Sequence, residues 1–226
     1  MTDTMEIKIT KDDIDYALSP SPWDLGNQVL YNLCQDYPRH DRGEEIIAKV
    51  WLIGRSYAAA IERRKKNVAI TSDDFYETTV VKALKNNKSF SLDKMLGELP
   101  EKIKDPWGKL GQAVKVHKEL MERFSEITDL GKRSLASKYL HFHRPDMFFL
   151  YDSRARMAVA KVTPSIKQIA KIKAEKEDPE YLTFCRRCQW LHDYISGEYK
   201  IELTPRQLDK ILLRIADRIR KAHTNP

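Results

Sequence analysis

An all-α fold, built as a multi-helix bundle, is predicted from three features of the chain. Only eight of its 226 residues are glycine, and it is rich in alanine, leucine, isoleucine, lysine and glutamate, which favour helices. No segment alternates apolar and polar residues over the length of a strand, whereas several segments repeat apolar residues at helical spacing. The length fits one elaborated domain or two closely packed helical subdomains with a groove between them.

The first half of the chain is predicted to form an arm, a helical subdomain and a linker. Residues 1–20 are expected to be a loosely attached arm that ends at the Ser19-Pro20-Ser21-Pro22 breaker. Residues 21–87 form the predicted N-terminal helical subdomain, and the lysine-rich residues 88–106 form a basic linker. The helices expected before the linker cover residues 23–37, 44–66 and 72–87, and the second is predicted to be the central helix of its bundle.

Residues 107–226 are predicted to form a C-terminal helical subdomain that carries the candidate site. In its last helix Thr204 can cap, Pro205 fits the first turn, and an apolar stripe follows. The helices expected here cover residues 107–124, 133–143, 153–162, 165–174, 179–195 and 205–222.

The charge balance points to a polyanionic partner. The formal net charge is +7 and the sequence pI is about 9.2, so the surface potential attracts nucleic acid, with DNA as the first expectation. Many cytosolic proteins are basic without binding nucleic acid. Two alternatives to an enzyme therefore stay open: a noncatalytic helical protein that binds nucleic acid, and one whose basic surface binds an acidic protein. The sequence leaves the oligomeric state undefined.

Cysteine usage and the N-terminal sequence indicate a cytoplasmic protein without a membrane partner. Three cysteines form no disulfide-scaffold spacing, which is typical of a reducing compartment. The N-terminus lacks an apolar signal core, and no apolar stretch approaches the length needed to span a bilayer.

The densest group of chemically active side chains lies in residues 131–156. A helix over 133–143 places four polar residues within roughly a 100° arc, and Pro145 ends that helix. Asp152 then stands at the entrance of the next helix, after apolar residues that shield it partly from water. The four residues on the arc are Ser134, Ser137, Lys138 and His141.

Three further patterns are candidates for a metal site or a pocket. Cys185-x-x-Cys188 with His192, and His141-x-His143, contain zinc-ligand residue types. Their helical pattern favours buried structural cysteines and a histidine that caps a helix end, so no metal site is predicted. A group of side chains on the helix predicted over 44–66 could line a pocket: Arg55, Tyr57, Glu62 and Arg63. Arg55 and Glu62, seven residues apart on nearly the same side, are explained equally well by an exposed charged face or an internal ion pair.

One order of residues within 131–156 resembles the second half of the helix-hairpin-helix DNA glycosylase superfamily. That order is Gly131-Lys132, a helix, Arg144-Pro145-Asp146-x-Phe148, and then Asp152 followed by Arg154 and Arg156. In the superfamily a glycine-rich hairpin turn contacts a DNA phosphate and carries a lysine in bifunctional members, and an aspartate at a helix start completes the site. Only the second glycine of that turn, Gly131, is present here. Residues 137–146 are also similar to a set of bacterial proteins of unassigned activity.

The resemblance implies a DNA glycosylase or lyase that cleaves the base–sugar bond. Asp152 would stabilise the developing oxocarbenium ion, Lys132 or Lys138 would supply an amine, and His141 completes the catalytic candidates. No four-cysteine cluster signature is present, so no cofactor is expected. In the alternative interpretation Lys138 and His141 are solvated, Asp152 only caps a helix, and Arg154 and Arg156 pair with it. The residues expected to contact nucleic acid are Gly131, Arg133, Ser134, Arg144, Arg154 and Arg156.

Overall fold

The computed structural model describes residues 8–100, 110–169 and 177–224. Within these ranges the chain is helical and forms no strand, so the all-α prediction is confirmed; one isolated antiparallel bridge joins Lys65 to Thr128. None of the helices in these ranges is both long and apolar enough to cross a membrane.

Besides α-helices, the described ranges contain two other helical turns. A 3₁₀ turn (Ile61–Arg64) follows the third helix, and a π-helical turn (Phe75–Val80) joins the fourth helix to the fifth. The α-helices of the described ranges are α1 (Lys11–Leu18), α2 (Asp24–Asp36), α3 (Gly43–Ser56), α4 (Ser72–Asp74), α5 (Val81–Leu84), α6 (Leu92–Gly97), α7 (Leu110–Ile127), α8 (Arg133–His143), α9 (Ser153–Val162), α10 (Ile166–Ile169), α11 (Pro179–Tyr199) and α12 (Pro205–Thr224).

The chain divides into two compact units. The central unit comprises the described residues of Pro22–Phe148 and Lys176–Asp178. The terminal unit comprises the described residues of Met1–Ser21, Phe149–Glu175 and Pro179–Pro226. The expected linker, residues 88–106, falls within the central unit: α6 occupies part of it, and residues 101–106 lie outside the described ranges.

The predicted helix over residues 44–66 is wrong in its second half. The α3 helix ends at Ser56, and Ala58 adopts a left-handed conformation with φ of 52°. The Ala59 amide then donates to the Gly54 carbonyl at 2.7 Å. A Cβ atom on Gly54 would lie 3.3 Å from the Cα of Ala60, so glycine allows the chain to fold back closely against α3.

The core of the central unit forms around α3, α7 and α8. Lys49, although fully buried, is satisfied because its ammonium donates to the carbonyls of Tyr37 and Arg39 at 2.7 and 2.8 Å, just beyond the end of α2. Side chains at the centre of this core include Ile53, Leu120, Phe124, Leu135, Tyr139 and Phe148.

In the terminal unit α1 packs against α12, although residues 11–18 were expected to belong to a loose arm. Ile14 and Ala17 are buried, and the fully buried carboxylate of Asp13 pairs with Arg214 and Arg218 at 3.3 and 2.9 Å. Apolar burial and paired charges together hold α1 in place.

Cys185 and Cys188, both on α11, are buried free thiols, as their helical spacing predicted. Of the helix predicted over 165–174, the structure describes α10 (Ile166–Ile169), and residues 170–174 lie outside the described ranges.

Candidate functional site

Two helices and a tight connection form the hairpin of the candidate site. The α8 helix begins at Arg133 and ends at His143, at the bounds that its sequence predicted. Residues 128–132 join it to α7, and the Thr128 hydroxyl donates to the Phe124 carbonyl at 2.6 Å. The Lys66 amide donates to the Ile127 carbonyl at 3.3 Å. The connection is therefore fixed on one side to α7 and on the other to the segment after α3.

A pocket of about 270 Å³ lies where α8 begins. Arg63 and Lys132 give it positive charge, and no acidic residue of the described ranges lines it. The ammonium of Lys132 lies 3.4 Å from the Ala60 carbonyl across the pocket wall. Its lining consists of Ala58, Ala59, Ala60, Arg63, Leu130, Gly131, Lys132, Ser134 and Leu135.

The N-terminus of α8 adds to the positive character of this pocket, which we call the α8 pocket. Lys132 occupies the N-cap position and makes no side-chain capping hydrogen bond. The first backbone N–H groups of a helix have no intrahelical acceptor, and the helix dipole places partial positive charge there. Such a terminus favours an anion.

Gly131 contributes space to the hairpin and no special backbone conformation. None of the described glycines has a positive φ. A Cβ atom on Gly131 would meet Ser125 Oγ at 3.7 Å and Met121 Sδ at 3.9 Å, which are ordinary contacts. The turn is therefore not one that requires glycine.

The polar arc predicted on α8 faces the interior of the protein along most of its length. Ser137, Lys138 and His141 are all buried, with exposed fractions of 0, 3 and 0 %. Of the four arc residues only Ser134 lines the α8 pocket. Its hydroxyl accepts a hydrogen bond from the Lys138 ammonium at 2.8 Å. The alternative that Lys138 and His141 are solvated is thus wrong.

His141 is held between two neutral groups. Its Nδ1 lies 2.9 Å from the Phe148 carbonyl, which can only accept, so Nδ1 carries the proton. Its Nε2 then accepts from the Tyr31 hydroxyl at 2.6 Å. These contacts describe a satisfied core histidine that ties α8 to α2 and to the chain that follows α8.

Arg133 and Arg144, both expected to contact nucleic acid, contact the protein itself. The guanidinium of Arg133 binds both carboxylate oxygens of the buried Asp178, one of them at 3.1 Å. Arg144 donates to the main-chain carbonyls of Leu96 and Pro100 at 2.7 and 2.5 Å, at the end of α6. Both arginines therefore have internal structural partners.

Asp152 is the N-cap of α9, as predicted. Its carboxylate accepts from the Ala155 amide at 2.8 Å, and the side chain is partly buried. Arg154 pairs with Asp217 at 2.8 Å and Arg156 with Glu180 at 3.5 Å, so each has an acidic partner on α12 or α11. Asp152, Arg154 and Arg156 belong to the terminal unit, whereas Lys132, Lys138 and His141 belong to the central unit.

Arg63 lines the α8 pocket, in line with one of the sequence interpretations, whereas Ala58, Ala59 and Ala60 are lining residues that the sequence did not indicate. The cause is the single helix predicted over residues 44–66, which placed them on a straight helix. Arg55 and Glu62 form the internal ion pair that was one of two interpretations, with 2.5 Å between Nη2 and Oε1. The Tyr76 hydroxyl donates to the other oxygen of Glu62 at 2.7 Å and fixes the 3₁₀ turn that carries Arg63.

In the part of the chain that the structure describes, no three histidine, cysteine or acidic residues come together as a metal site. The lining of the α8 pocket supplies backbone amides, two cations and one hydroxyl. Comparison with protein-family models, with curated proteins and with solved structures finds no match for this chain.

Proposed function

We propose that this chain binds nucleic acid, DNA in the first place, by placing a backbone phosphate in the α8 pocket. The observation that carries the proposal is that a helix N-terminus, Arg63 and Lys132 meet in one pocket without an acidic residue of the described chain. Helix N-termini bind phosphate groups, and phosphate contacts supply most of the affinity of nonspecific nucleic-acid binding.

Arg63 is the strongest candidate for the phosphate contact. Arg55, Arg133 and Arg144 each bind acceptors of the protein itself, whereas Arg63 forms no ion pair with any acidic residue that the structure describes. Its side chain is exposed. An exposed guanidinium beside a helix terminus can bind phosphate in a bidentate manner.

The test is fluorescence anisotropy of a labelled DNA duplex with wild-type protein and with Arg63→Gln. We expect the variant to lose several-fold in affinity, equally for unrelated sequences, because phosphate contacts carry no base information. The matched control is Lys161→Gln, which removes one exposed positive charge from α9 of the terminal unit. Equal affinities for Arg63→Gln and the control would remove the α8 pocket from the proposal.

A narrower activity, cleavage of the base–sugar bond, is a second candidate that Asp152 favours. The Ala155 amide fixes its carboxylate, and the apolar residues that precede it, Phe149, Leu150 and Tyr151, are buried. A fixed and partly dehydrated carboxylate can stabilise positive charge at the anomeric carbon while the base leaves and water adds. In a lyase, an amine replaces water; of the two candidate lysines, Lys132 lines the α8 pocket, whereas Lys138 is buried.

Asp152→Asn tests this activity because asparagine caps a helix as well as aspartate does. We expect the variant to fold and to bind DNA, and to lose base release from duplexes that contain damaged bases. Borohydride trapping distinguishes an amine nucleophile, which forms a reducible imine, from water. Full activity in Asp152→Asn would remove Asp152 from the proposed activity, and no activity in the wild-type protein across a damaged-base panel would leave a noncatalytic nucleic-acid-binding protein.

A further inference from the structure

A second pocket of about 380 Å³ lies in the central unit, between α7 and the helix formed by α4, the π-helical turn and α5. Its walls carry two hydroxyls, two cations and one carboxylate, so its net charge is positive. The polar lining residues are Thr78, Thr79, Lys82, Arg123 and Glu126, and Ile127 closes one side. We call it the π-turn pocket.

The helical wall presents its polar groups on one face. Thr78 and Lys82 lie four residues apart, so both can face the same ligand. The Thr78 hydroxyl donates its proton to the Asp74 carbonyl at 2.6 Å. Lys82 is exposed and forms no ion pair with any acidic residue that the structure describes. The Lys82 ammonium is therefore available to bind an anion.

The opposite wall holds a pre-positioned guanidinium. Arg123 lies over the Phe90 ring at 4.6 Å and pairs with Glu126 at 2.9 Å. One ion pair occupies only part of the five-donor guanidinium, so Arg123 keeps donors for a second acceptor. With Lys82, the pocket carries two cations against a single carboxylate, that of Glu126.

The π-turn pocket and the α8 pocket are linked by a short stretch of chain. Ile127 lines the first and Leu130 the second, three residues apart. The bridge between Lys65 and Thr128 holds the chain between them. Ile127 and Leu130 are therefore at most about 11 Å apart. One strand of B-DNA rises about 3.4 Å per nucleotide, so phosphates of one strand can contact both pockets.

We infer that the π-turn pocket binds a second phosphate of the nucleic-acid strand whose first phosphate occupies the α8 pocket, with Lys82 as its principal contact. This inference rests on the proposed function and deepens it, because it assigns the strand at least two phosphate contacts in the central unit. The ligand class is a polyanionic backbone, which carries its phosphates in a regular series along one strand.

The salt dependence of DNA binding tests the inference. Each phosphate contact contributes a slope of about −0.9 to the dependence of log affinity on log salt concentration. We expect Lys82→Gln to weaken binding of all duplex sequences and to reduce the magnitude of the slope by about 1. Lys82→Arg, which keeps the positive charge, should keep the affinity and the slope of the wild-type protein. The double variant Arg63→Gln, Lys82→Gln should reduce the slope by about 2.

The outcomes separate this inference from the proposed function. If Arg63→Gln lowers the slope but Lys82→Gln behaves as Lys161→Gln does, the π-turn pocket takes no phosphate and the α8 pocket stands. If the wild-type protein shows no salt-dependent binding, the proposed function fails and the inference fails with it. Lys82 is exposed, so circular dichroism is expected to show an unchanged fold for both of its variants.

Discussion

The imidazole Nδ1 of His40 lies 2.5 Å from the carboxylate Oδ1 of Asp93, within the central unit. His40 is fully buried, and its Nε2 accepts from the Tyr139 hydroxyl at 2.7 Å. Burial lowers the pKa of His40, against the opposing effect of the Asp93 carboxylate. Burial alone would raise the pKa of Asp93, but hydrogen bonds from His40 and Asn86 lower it to about 2. The folded protein therefore holds a neutral histidine beside a charged carboxylate.

Acid is expected to destabilise the central unit through its buried histidines. Burial lowers the pKa of His117 from 6.5 to about 4, and it lowers the pKa values of His40 and His143 as well. Because the unfolded chain binds these protons more readily, stability is full above about pH 6.5 and falls as the pH drops. The lowered pKa of His117 alone should reduce the free energy of unfolding of the protein by about 2 kcal/mol as the pH falls from about 7 to about 5.

Urea denaturation at several pH values measures this effect. His117→Gln keeps an N–H donor for the Arg133 carbonyl, which His117 Nε2 contacts at 3.1 Å, but cannot be protonated in this range. The variant should show a shallower decline of stability with pH than the wild-type protein. Identical pH profiles would mean that His117 titrates equally in the folded and unfolded chains.

Tyr31→Phe is expected to lower stability without changing nucleic-acid affinity. The substitution removes the hydroxyl that donates to His141 Nε2 at 2.6 Å inside the protein. Loss of one partner of a buried hydrogen bond costs about 1 to 3 kcal/mol. Thermal denaturation measures the cost, and anisotropy measures the affinity. A large change in DNA affinity at unchanged stability would return His141 to the functional candidates.

Arg144→Met is also expected to lower stability without changing nucleic-acid affinity, since Arg144 donates to two main-chain carbonyls, those of Leu96 and Pro100. Methionine keeps most of the apolar stem but removes both donors, so stability should fall by about 1 to 3 kcal/mol. The slope of DNA affinity against salt should stay at the wild-type value. A slope reduced by about 1 would instead indicate that Arg144 binds a phosphate.

Gly54→Ala should destabilise the wall of the α8 pocket relative to a matched glycine. A Cβ atom on Gly54 would press on the Ala60 backbone at 3.3 Å, whereas nothing lies within 4 Å of one on Gly26 in α2. Gly26→Ala should therefore gain up to about 1 kcal/mol of helix stability. Gly54→Ala should gain less stability than Gly26→Ala, or lose stability. It should also weaken DNA binding, because the added Cβ atom displaces the Ala60 wall of the α8 pocket. Equal gains at both positions, with unchanged affinity, would show that this close approach is unimportant.

The sequence predicted the local features of the site well, because they depend on neighbouring residues. Pro145 marks the end of α8, and Asp152 caps α9, and both effects act within a few positions of the chain. The wall formed by Ala58–Ala60 was missed because it depends on the close approach of Ala60 to Gly54, a tertiary contact that periodicity does not record.

Burial of the polar arc on α8 escaped prediction for a related reason. Helical spacing indicates that Lys138 and His141 share a face, but not whether that face meets water. The partner that satisfies His141 is Tyr31, 110 residues earlier in the chain. Likewise, Asp178, which neutralises Arg133, lies 45 residues further along. Such partners become evident only when the fold brings distant segments together.

The most direct test of the α8 pocket is an NMR titration of the ¹⁵N-labelled protein with a short DNA duplex. If a phosphate binds at the start of α8, the amides of residues 133–135 should show the largest shift changes, with further changes at residues 58–60. The changes should diminish as salt is raised. Changes confined to other parts of the chain, or no changes at duplex concentrations that saturate binding, would contradict the account.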